Sequence, residues 1–209
     1  MKRPSSKSRR TTTRKTTWPR IRARSTTTLS PWVNIIAREV EFERGAAPQL
    51  YHAIEQHDYI SIVALTPDGK IPVVRQYRPA LETFTWELPA GLLDSDETPA
   101  ECCRRELLEE TGLTTRAIHR LGTHAPCTGR FTNRVHSFFI ETGERIADFK
   151  PEPGLTVKFV SPAEIVRMAK SGKLAAQLHV AALFLAELNG FLSLSTQAPR
   201  RRQKRARGR

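Results

Sequence analysis

The stretch Gly91-Leu-Leu-Asp-Ser-Asp-Glu-Thr-Pro-Ala-Glu-Cys-Cys-Arg-Arg-Glu-Leu-Leu-Glu-Glu-Thr-Gly-Leu113 carries the most information about the fold. Thr98 is a good N-cap, a proline follows at the first helical position, and Glu101 falls where it completes a capping box. Gly112 supplies the left-handed residue that commonly ends a helix. The stretch therefore predicts a helix over Pro99–Thr111.

Three glutamates share one side of this predicted helix, because Glu106 lies three residues before Glu109 and four before Glu110. Like charges at this spacing destabilise a helix by about 0.2–0.5 kcal/mol per pair. A dense carboxylate cluster suits a hard divalent cation such as Mg²⁺, which takes oxygen ligands and is shared with substrate phosphates. For three glutamates taken alone, a solvated helical face is the alternative interpretation. The residues around them favour the metal site.

The spacing of these residues resembles the Nudix box. Nine positions at fixed separations match it: Gly91, Glu97, Arg105, Glu106, Leu107, Glu109, Glu110, Gly112 and Leu113. Many positions at fixed spacing are a far more specific signal than a short glycine motif. The chain is thus similar to Nudix hydrolases over about residues 34–190. The resemblance implies an α/β fold, a Nudix α/β/α sandwich with a mixed sheet, together with an N-terminal strand extension.

The resemblance also implies roles for individual residues. Mg²⁺, with Mn²⁺ as the alternative, would be held by residues of the loop and the helix: Ala90, Gly91, Glu97, Glu106, Glu109 and Glu110. Arg105 would orient the catalytic glutamates through charge-assisted contacts, and an ordinary helix salt bridge is its alternative interpretation. Glu97 would support the metal shell, through water in one version of the site.

The flanking sequence resembles the ADP-ribose and ADP-sugar pyrophosphatase branch of the family. It contains Val73–Arg78 and Trp86–Gly91. The resemblance implies that Arg78 and Glu87 contact substrate or complete the metal site. A planar guanidinium suits this role because it pairs bidentately with diphosphate oxygens. The alternatives are a surface strand-end position for Arg78 and a buried hydrogen-bonding position for Glu87.

Two loops after the box hold further candidates. Arg130 is a candidate phosphate contact, with an ordinary surface arginine as the alternative. Glu152, in a Pro-Glu-Pro-Gly loop, is the candidate that assists deprotonation of the attacking water, with Glu141 and Glu144 as rivals. A solvated loop glutamate is the alternative for each of them.

The implied activity is hydrolysis of the diphosphate bond of a nucleoside diphosphate sugar, first of all ADP-ribose to AMP and ribose 5-phosphate. Pro126 lies thirteen residues past Leu113, slightly nearer than in ADP-ribose enzymes, so a GDP-mannose or broad-specificity hydrolase stays open. The resemblance implies a homodimer formed through the N-terminal strands. Two other classes are a nucleic-acid-associated Nudix protein and a catalytically silent sugar-nucleotide sensor, but the complete box argues against the sensor.

The charge of the chain is concentrated at its two ends. Residues 1–30 carry ten Lys/Arg and residues 200–209 carry seven, without any acidic residue in either segment. The body between them is mildly acidic, which argues against a fold built to bind nucleic acid. We therefore predict a disordered basic tail over residues 1–30, one Nudix domain over 31–198 and a second basic tail over 199–209. The expected compartment is cytoplasmic, with a mitochondrial targeting segment as the alternative.

Alternating and apolar runs predict the remaining elements. Tyr59–Leu65 and Ile71–Tyr77 flank a Pro-Asp-Gly-Lys turn, which predicts a hairpin. Further strands are predicted near Asn34–Glu43, Phe84–Leu88, Ala117–His124, Val135–Ile140 and Leu155–Val160, and two helices end near Gly172 and Leu188. No stretch reaches the roughly 18 apolar residues of a membrane span.

Overall fold

The computed structural model describes residues 18–194. They belong to two compact units, which divide between Glu55 and Gln56. The sequence predicted one domain from residue 31, so this division is a difference from that expectation. The second basic tail, 199–209, lies outside the described residues, as do residues 1–17 of the first.

The first unit is a three-stranded antiparallel sheet. Its strands are β1 (Arg20–Ser30), β2 (Val33–Glu41) and β3 (Gln49–Glu55), in the order β1-β2-β3. The prediction of a disordered tail is wrong for residues 20–30, because Thr26–Thr28 pair with Asn34–Ile36 of β2. β-branched threonines favour strands, and the backbone hydrogen bonds of a ladder form without apolar side chains. This sheet provides the predicted N-terminal strand extension.

The second unit contains the other seven strands and all three α-helices of the described chain. They are β4 (Tyr59–Leu65), β5 (Ile71–Arg78), β6 (Thr83–Glu87), β7 (Ala90–Leu92), α1 (Pro99–Thr111), β8 (Leu113–His124), β9 (Val135–Arg145), β10 (Thr156–Val160), α2 (Pro162–Lys170) and α3 (Gln177–Leu188). Every helix and strand predicted from the sequence is present, with ends shifted by a few residues. No helix within residues 18–194 has the length and apolar character needed to cross a membrane.

Two sheets run through this unit, and they separate the strands that the sequence predicted to form a hairpin. One sheet has the order β7-β4-β9-β8, with β4 and β9 parallel, and the other has the order β10-β5-β6. The predicted turn exists, since the N–H of Gly69 donates to the carbonyl of Thr66 at 2.8 Å. The hairpin prediction is nevertheless wrong, because β7 and β9 already occupy both edges of β4.

Strand β4 is covered on both faces, which gives the helix–sheet–helix layering implied by the Nudix resemblance. Ile60 and Ile62 pack with Leu107 of α1, whereas Val63 packs with Ile165 of α2 and with the buried face of α3. All five of these side chains are fully buried. Burying each of these side chains stabilises the fold by about 1.5–3 kcal/mol. The core of the unit therefore lies on both faces of the mixed sheet, between the sheet and the two helical layers.

Helix α1 has the ends that its sequence predicts. The hydroxyl of Thr98 accepts from the N–H of Glu101 at 3.3 Å, and the Glu101 carboxylate accepts from the N–H of Thr98 at 2.8 Å. Gly112 ends the helix at φ +73°, a conformation that glycine adopts without strain. Leu107 is fully buried, whereas Leu108 is 36% exposed. The two caps define the ends of α1 and therefore the positions of its glutamates along the helix.

Candidate active site

A cleft of about 360 Å³ opens beside the start of β4 in the second unit. Five residues singled out by the sequence line it: Arg78, Glu87, Ala90, Gly91 and Glu110. The N-terminal turn of α3 contributes Leu178 and His179 to the same lining. The fold thus brings both parts of the sequence motif, the flanking strands and the box, to one place.

Arg105 on α1 binds three carboxylates at once. Its Nη2 lies 2.7 Å from Glu97, and its Nη1 lies 2.8 Å from Glu106 and 3.1 Å from Glu109. The hydrogen bond from Arg105 lowers the pKa of Glu97 to about 2. The predicted contact between Arg105 and the glutamates is therefore present, and it holds their side chains beside the cleft.

Glu110 is the most buried of the three α1 glutamates that the sequence assigns to the metal site. It is 9% exposed, and it accepts a hydrogen bond from the N–H of Ala90 at 3.1 Å. Burial, reinforced by the charge of Glu106, raises the pKa of Glu110 to about 8. Burial likewise raises the pKa of Glu106. Two desolvated carboxylates next to each other favour the binding of a positive charge, which would restore their ionised forms.

Gly91 lets the loop and the helix approach closely. A Cβ at this position would lie 2.0 Å from Oε1 of Glu106, far inside van der Waals contact. Its backbone is not in the left-handed region, so the requirement for glycine is one of space. The glycine that opens the box therefore makes room for the carboxylate of Glu106.

The residues of the cluster fit a hard divalent cation in chemical type, since their donors are carboxylate oxygens. Within residues 18–194, no group of three His, Cys, Asp or Glu side chains is already placed to hold a metal ion. The guanidinium of Arg105 explains this, because it binds Glu97, Glu106 and Glu109. Arg105 contacts only Oε1 of Glu106 and Oε2 of Glu109, which leaves the second oxygen of each carboxylate for a metal ion.

A second arginine–carboxylate pair, Arg78 and Glu87, lines the cleft. Arg78 binds Glu87 through two nitrogens, with Nε 2.8 Å from Oε1 and Nη2 in contact with Oε2. Thr85 donates to the same carboxylate at 2.6 Å, and Nε2 of His179 lies 3.5 Å from it. Burial alone would raise the pKa of Glu87, but the hydrogen bonds, led by that from Arg78, hold it well below its usual range. Both oxygens of Glu87 are thus engaged by protein donors, which matches its alternative interpretation as a buried hydrogen-bonding residue.

The comparison with known families agrees with this geometry. The NUDIX domain family matches residues 55–181. The chain belongs to the Nudix family. The match includes the whole box and the strands that flank the cleft.

This Nudix protein is similar to two relatives and to the solved structure of another protein, each over a different length. An ADP-ribose pyrophosphatase of Bacillus subtilis (strain 168) is 31% identical over 109 residues, which are 52% of this chain and 58% of the relative. An ADP-ribose pyrophosphatase of Mycobacterium tuberculosis (strain ATCC 25618 / H37Rv) is 48% identical over 61 residues, 29% of this chain and 30% of the relative. The chain thus spans about half or less of these relatives. The crystal structure of an ADP compounds hydrolase has a TM-score of 0.69 at 18% identity, with 83% of this chain and 97% of that chain covered, and it shows the same fold.

Four predicted site residues lie outside the cleft lining but in contact with one another: Glu97, Arg105, Glu106 and Glu109. Two further candidates, Arg130 and Glu152, are in neither the lining nor this set of contacts. Arg130 is exposed in a turn, where its N–H donates to the carbonyl of Cys127 at 3.2 Å. Glu152 is exposed in the loop before β10, and its carbonyl accepts from the N–H of Leu155 at 3.0 Å. Neither residue lines the cleft, so the roles of Arg130 and Glu152 stay predictions.

His179 is one of the cleft residues that the sequence does not single out. It interrupts an apolar segment that reads as a core helix, and a lone histidine in such a segment follows no spacing rule. In the structure it is 1% exposed and lies between Ser61 of β4 and Glu87 of β6. Only the three-dimensional arrangement assigns it to the site.

Proposed function

We propose that this Nudix protein is a divalent-metal-dependent pyrophosphohydrolase that cleaves the diphosphate linkage of a nucleoside diphosphate sugar. One observation carries the proposal: the buried carboxylate of Glu110 and the guanidinium of Arg78 line the same cleft. A diphosphate needs both positively charged donors and a metal-binding carboxylate cluster within reach. The cleft offers the two together.

The residues in and beside the cleft have two proposed roles, binding of the diphosphate and binding of the metal ion. Arg78, whose side chain is 42% exposed, binds non-bridging oxygens of the diphosphate through its guanidinium. Glu106, Glu109 and Glu110, with the backbone of Ala90 and Gly91, hold Mg²⁺ or Mn²⁺, and Glu97 supports this set through Arg105. When bound, the metal would neutralise phosphate charge and acidify a water molecule. Arg105 orients the carboxylates of Glu97, Glu106 and Glu109 through its guanidinium.

ADP-ribose is the substrate that we propose first, with AMP and ribose 5-phosphate as products. The support is the similarity to two ADP-ribose pyrophosphatases, together with Val73–Arg78 and Trp86–Gly91 on the strands and the loop that line the cleft. GDP-mannose or a range of nucleoside diphosphate sugars is the alternative within this class. We propose Glu152 as the residue that assists the attacking water and Arg130 as a further phosphate contact.

A substrate panel tests the proposal. The full-length protein is incubated with ADP-ribose, GDP-mannose, NADH, diadenosine polyphosphates, 8-oxo-dGTP and 5′-triphosphate RNA, with Mg²⁺ or Mn²⁺, and products are identified by chromatography. We expect the largest kcat/KM for ADP-ribose and equimolar AMP and ribose 5-phosphate. Turnover confined to RNA or 8-oxo-dGTP would reject the nucleotide-sugar assignment, and the absence of any turnover would favour a sensor.

We also propose that the protein forms a homodimer through its first unit. The three-stranded sheet exposes large apolar side chains: Leu29, Trp32, Leu50 and Tyr51. Such residues are commonly buried in subunit contacts. Light scattering on full-length protein measures the mass directly, and a monomer at working concentration would contradict this assignment.

A further inference from the structure

His179 lies where helix α3 meets the wall of the cleft. It is the third residue of the helix, and only 1% of its surface is exposed. Its two ring nitrogens face different elements of the sheet layer: Nδ1 is 3.1 Å from the hydroxyl of Ser61 on β4, and Nε2 is 3.5 Å from Oε2 of Glu87 on β6. The imidazole therefore joins a fully buried hydroxyl to the carboxylate that holds Arg78.

The direction of these contacts follows from their chemistry. Burial lowers the pKa of His179, so the imidazole is neutral and has one donor and one acceptor nitrogen. The ionised carboxylate of Glu87 only accepts, so Nε2 carries the proton and faces it. Nδ1 then accepts from the hydroxyl of Ser61. Polar contacts thus run from Ser61 through His179 to Glu87, as a hydrogen bond at 3.1 Å on one side and a longer contact at 3.5 Å on the other.

These contacts lead to the guanidinium of Arg78, which lines the cleft. Arg78 uses Nε and Nη2 for Glu87, which leaves Nη1 without a hydrogen bond among residues 18–194. The orientation of Nη1 therefore depends on how firmly Glu87 is held. Thr85 fixes Oε1 of Glu87, whereas His179 is the neighbour of Oε2 besides Arg78 itself. Loss of the Nε2 donor would let the carboxylate turn, and Arg78 would turn with it.

We propose that His179 is a positioning residue that acts through Glu87 to fix the guanidinium of Arg78 for binding of the substrate diphosphate. This proposal rests on the proposed function in taking a diphosphate as the ligand of Arg78. The rival role for His179 is to anchor α3. Other contacts already anchor it: the N–H of Ala175 donates to the carbonyl of Trp86 at 3.4 Å, and α3 buries an apolar face of Ala182, Leu183 and Ala186.

Two substitutions at one position separate the roles of the two ring nitrogens. The amide nitrogen of glutamine reaches the place of Nε2, whereas that of asparagine reaches only the place of Nδ1. His179→Gln therefore keeps a donor for Glu87, and His179→Asn removes it at a similar loss of packing. We expect kcat/KM for ADP-ribose to fall about tenfold in His179→Asn, mainly through KM, and to stay within about twofold of the wild type in His179→Gln.

A double-mutant cycle tests whether His179 acts through Arg78. On an Arg78→Lys background, His179→Asn should lower kcat/KM by less than about twofold further, because the guanidinium it positions is gone. His119→Asn is a control for the loss of an imidazole outside the cleft lining: this histidine stacks on Phe191 with ring centroids 4.7 Å apart, and its side chain is 37% exposed and lies 3.5 Å from Glu141. Equal losses in the Asn and Gln variants, or additive losses in the cycle, would overturn the proposal.

A readout without turnover keeps this test separate from that of the proposed function. The Nε–H signal of Arg78 in ¹⁵N-labelled full-length protein is assigned by its loss in Arg78→Lys. Its hydrogen exchange should be slow in the wild type and in His179→Gln, and faster in His179→Asn. Unchanged exchange in His179→Asn would overturn the positioning role. A wild type that binds and cleaves no nucleotide sugar, yet shows this pattern, would reject the proposed function and leave the positioning of Arg78 established.

Discussion

Arg105 and Arg78 both bind carboxylates beside the cleft, but the balance of donors and acceptors is reversed between them. One guanidinium, that of Arg105, serves three glutamates on and before α1. One carboxylate, that of Glu87, receives donors from Arg78 and Thr85 and lies next to Nε2 of His179. The Arg105 cluster therefore has unused acceptor capacity, whereas Glu87 is saturated.

Burial follows the same division. In the Arg105 cluster the side chain of Glu109 is 49% exposed, and those of Glu97 and Glu106 are 15% exposed. The side chain of Glu87 is 5% exposed. A carboxylate that reaches solvent and shares its donor with other carboxylates can exchange that donor for a metal ion. For a buried carboxylate with a full set of donors, the same exchange costs more free energy. We infer that the Arg105 cluster changes partners during the catalytic cycle, while the Arg78 cluster keeps a fixed geometry.

The largest effect that would test this contrast is expected from Glu109→Gln. The substitution keeps the shape of an exposed side chain and removes one negative oxygen from the proposed metal site. Because partners that only support a metal ligand are worth 10–100-fold, we expect turnover to fall by at least about 10²-fold. Mn²⁺ affinity, measured by calorimetry, should weaken in parallel, while the thermal unfolding transition stays in place.

Glu101→Gln is the control for this prediction. Glu101 lies on the same helix and is acidic, but it belongs to the capping box and contacts Thr98 instead of Arg105. Turnover and Mn²⁺ affinity should stay at the wild-type level. Equal losses in both variants would mean that the general negative charge of α1 matters, and the assignment of Glu109 as a ligand would be wrong.

The two clusters also differ in how far the sequence could predict them. The residues of the Arg105 cluster lie close together in the sequence, within Glu97–Glu109. Helical periodicity places Glu109 on the side of α1 that carries Arg105 and Glu106, four and three residues earlier. Ser61, Glu87 and His179 come from β4, β6 and α3, and only the packing of α3 on the sheet brings them together. Local patterns carry no information about such contacts.

The errors in the fold have the same origin. The turn between β4 and β5 was predicted from local residues, and it exists. The pairing of the two strands was wrong, because their neighbours in the sheets come from distant segments of the chain. β1 was missed because its Thr- and Ser-rich sequence lacks the alternation of a half-buried strand, and its partner β2 decides its structure.

A smaller effect is expected from Gly91→Ala, which probes the geometry of the Arg105 cluster. The added methyl group would lie 2.0 Å from Oε1 of Glu106, so this carboxylate must move away from the loop. We expect Mn²⁺ affinity and kcat/KM to fall roughly tenfold. Gly129→Ala is the matched control, because a Cβ there meets nothing within 4 Å and the backbone is not left-handed. Equal behaviour of the two variants would show that Glu106 adapts and that its position is not critical.

The smallest effect on activity is expected from Thr98→Ala, which removes the N-cap of α1 without touching Arg105. The hydroxyl of Thr98 accepts from the N–H of Glu101 at 3.3 Å, and its loss should destabilise the fold by about 1 kcal/mol. For a domain of this size, thermal unfolding should shift down by about 2–4 °C. Turnover should change by less than twofold, because Arg105 and the glutamates it binds on α1 stand in later turns held by the buried Leu107. A larger fall in kcat, at temperatures where the variant is folded, would mean that Glu97, next to the cap, holds Arg105 in place. The Arg105 cluster would then be more rigid than the exposure of its side chains indicates.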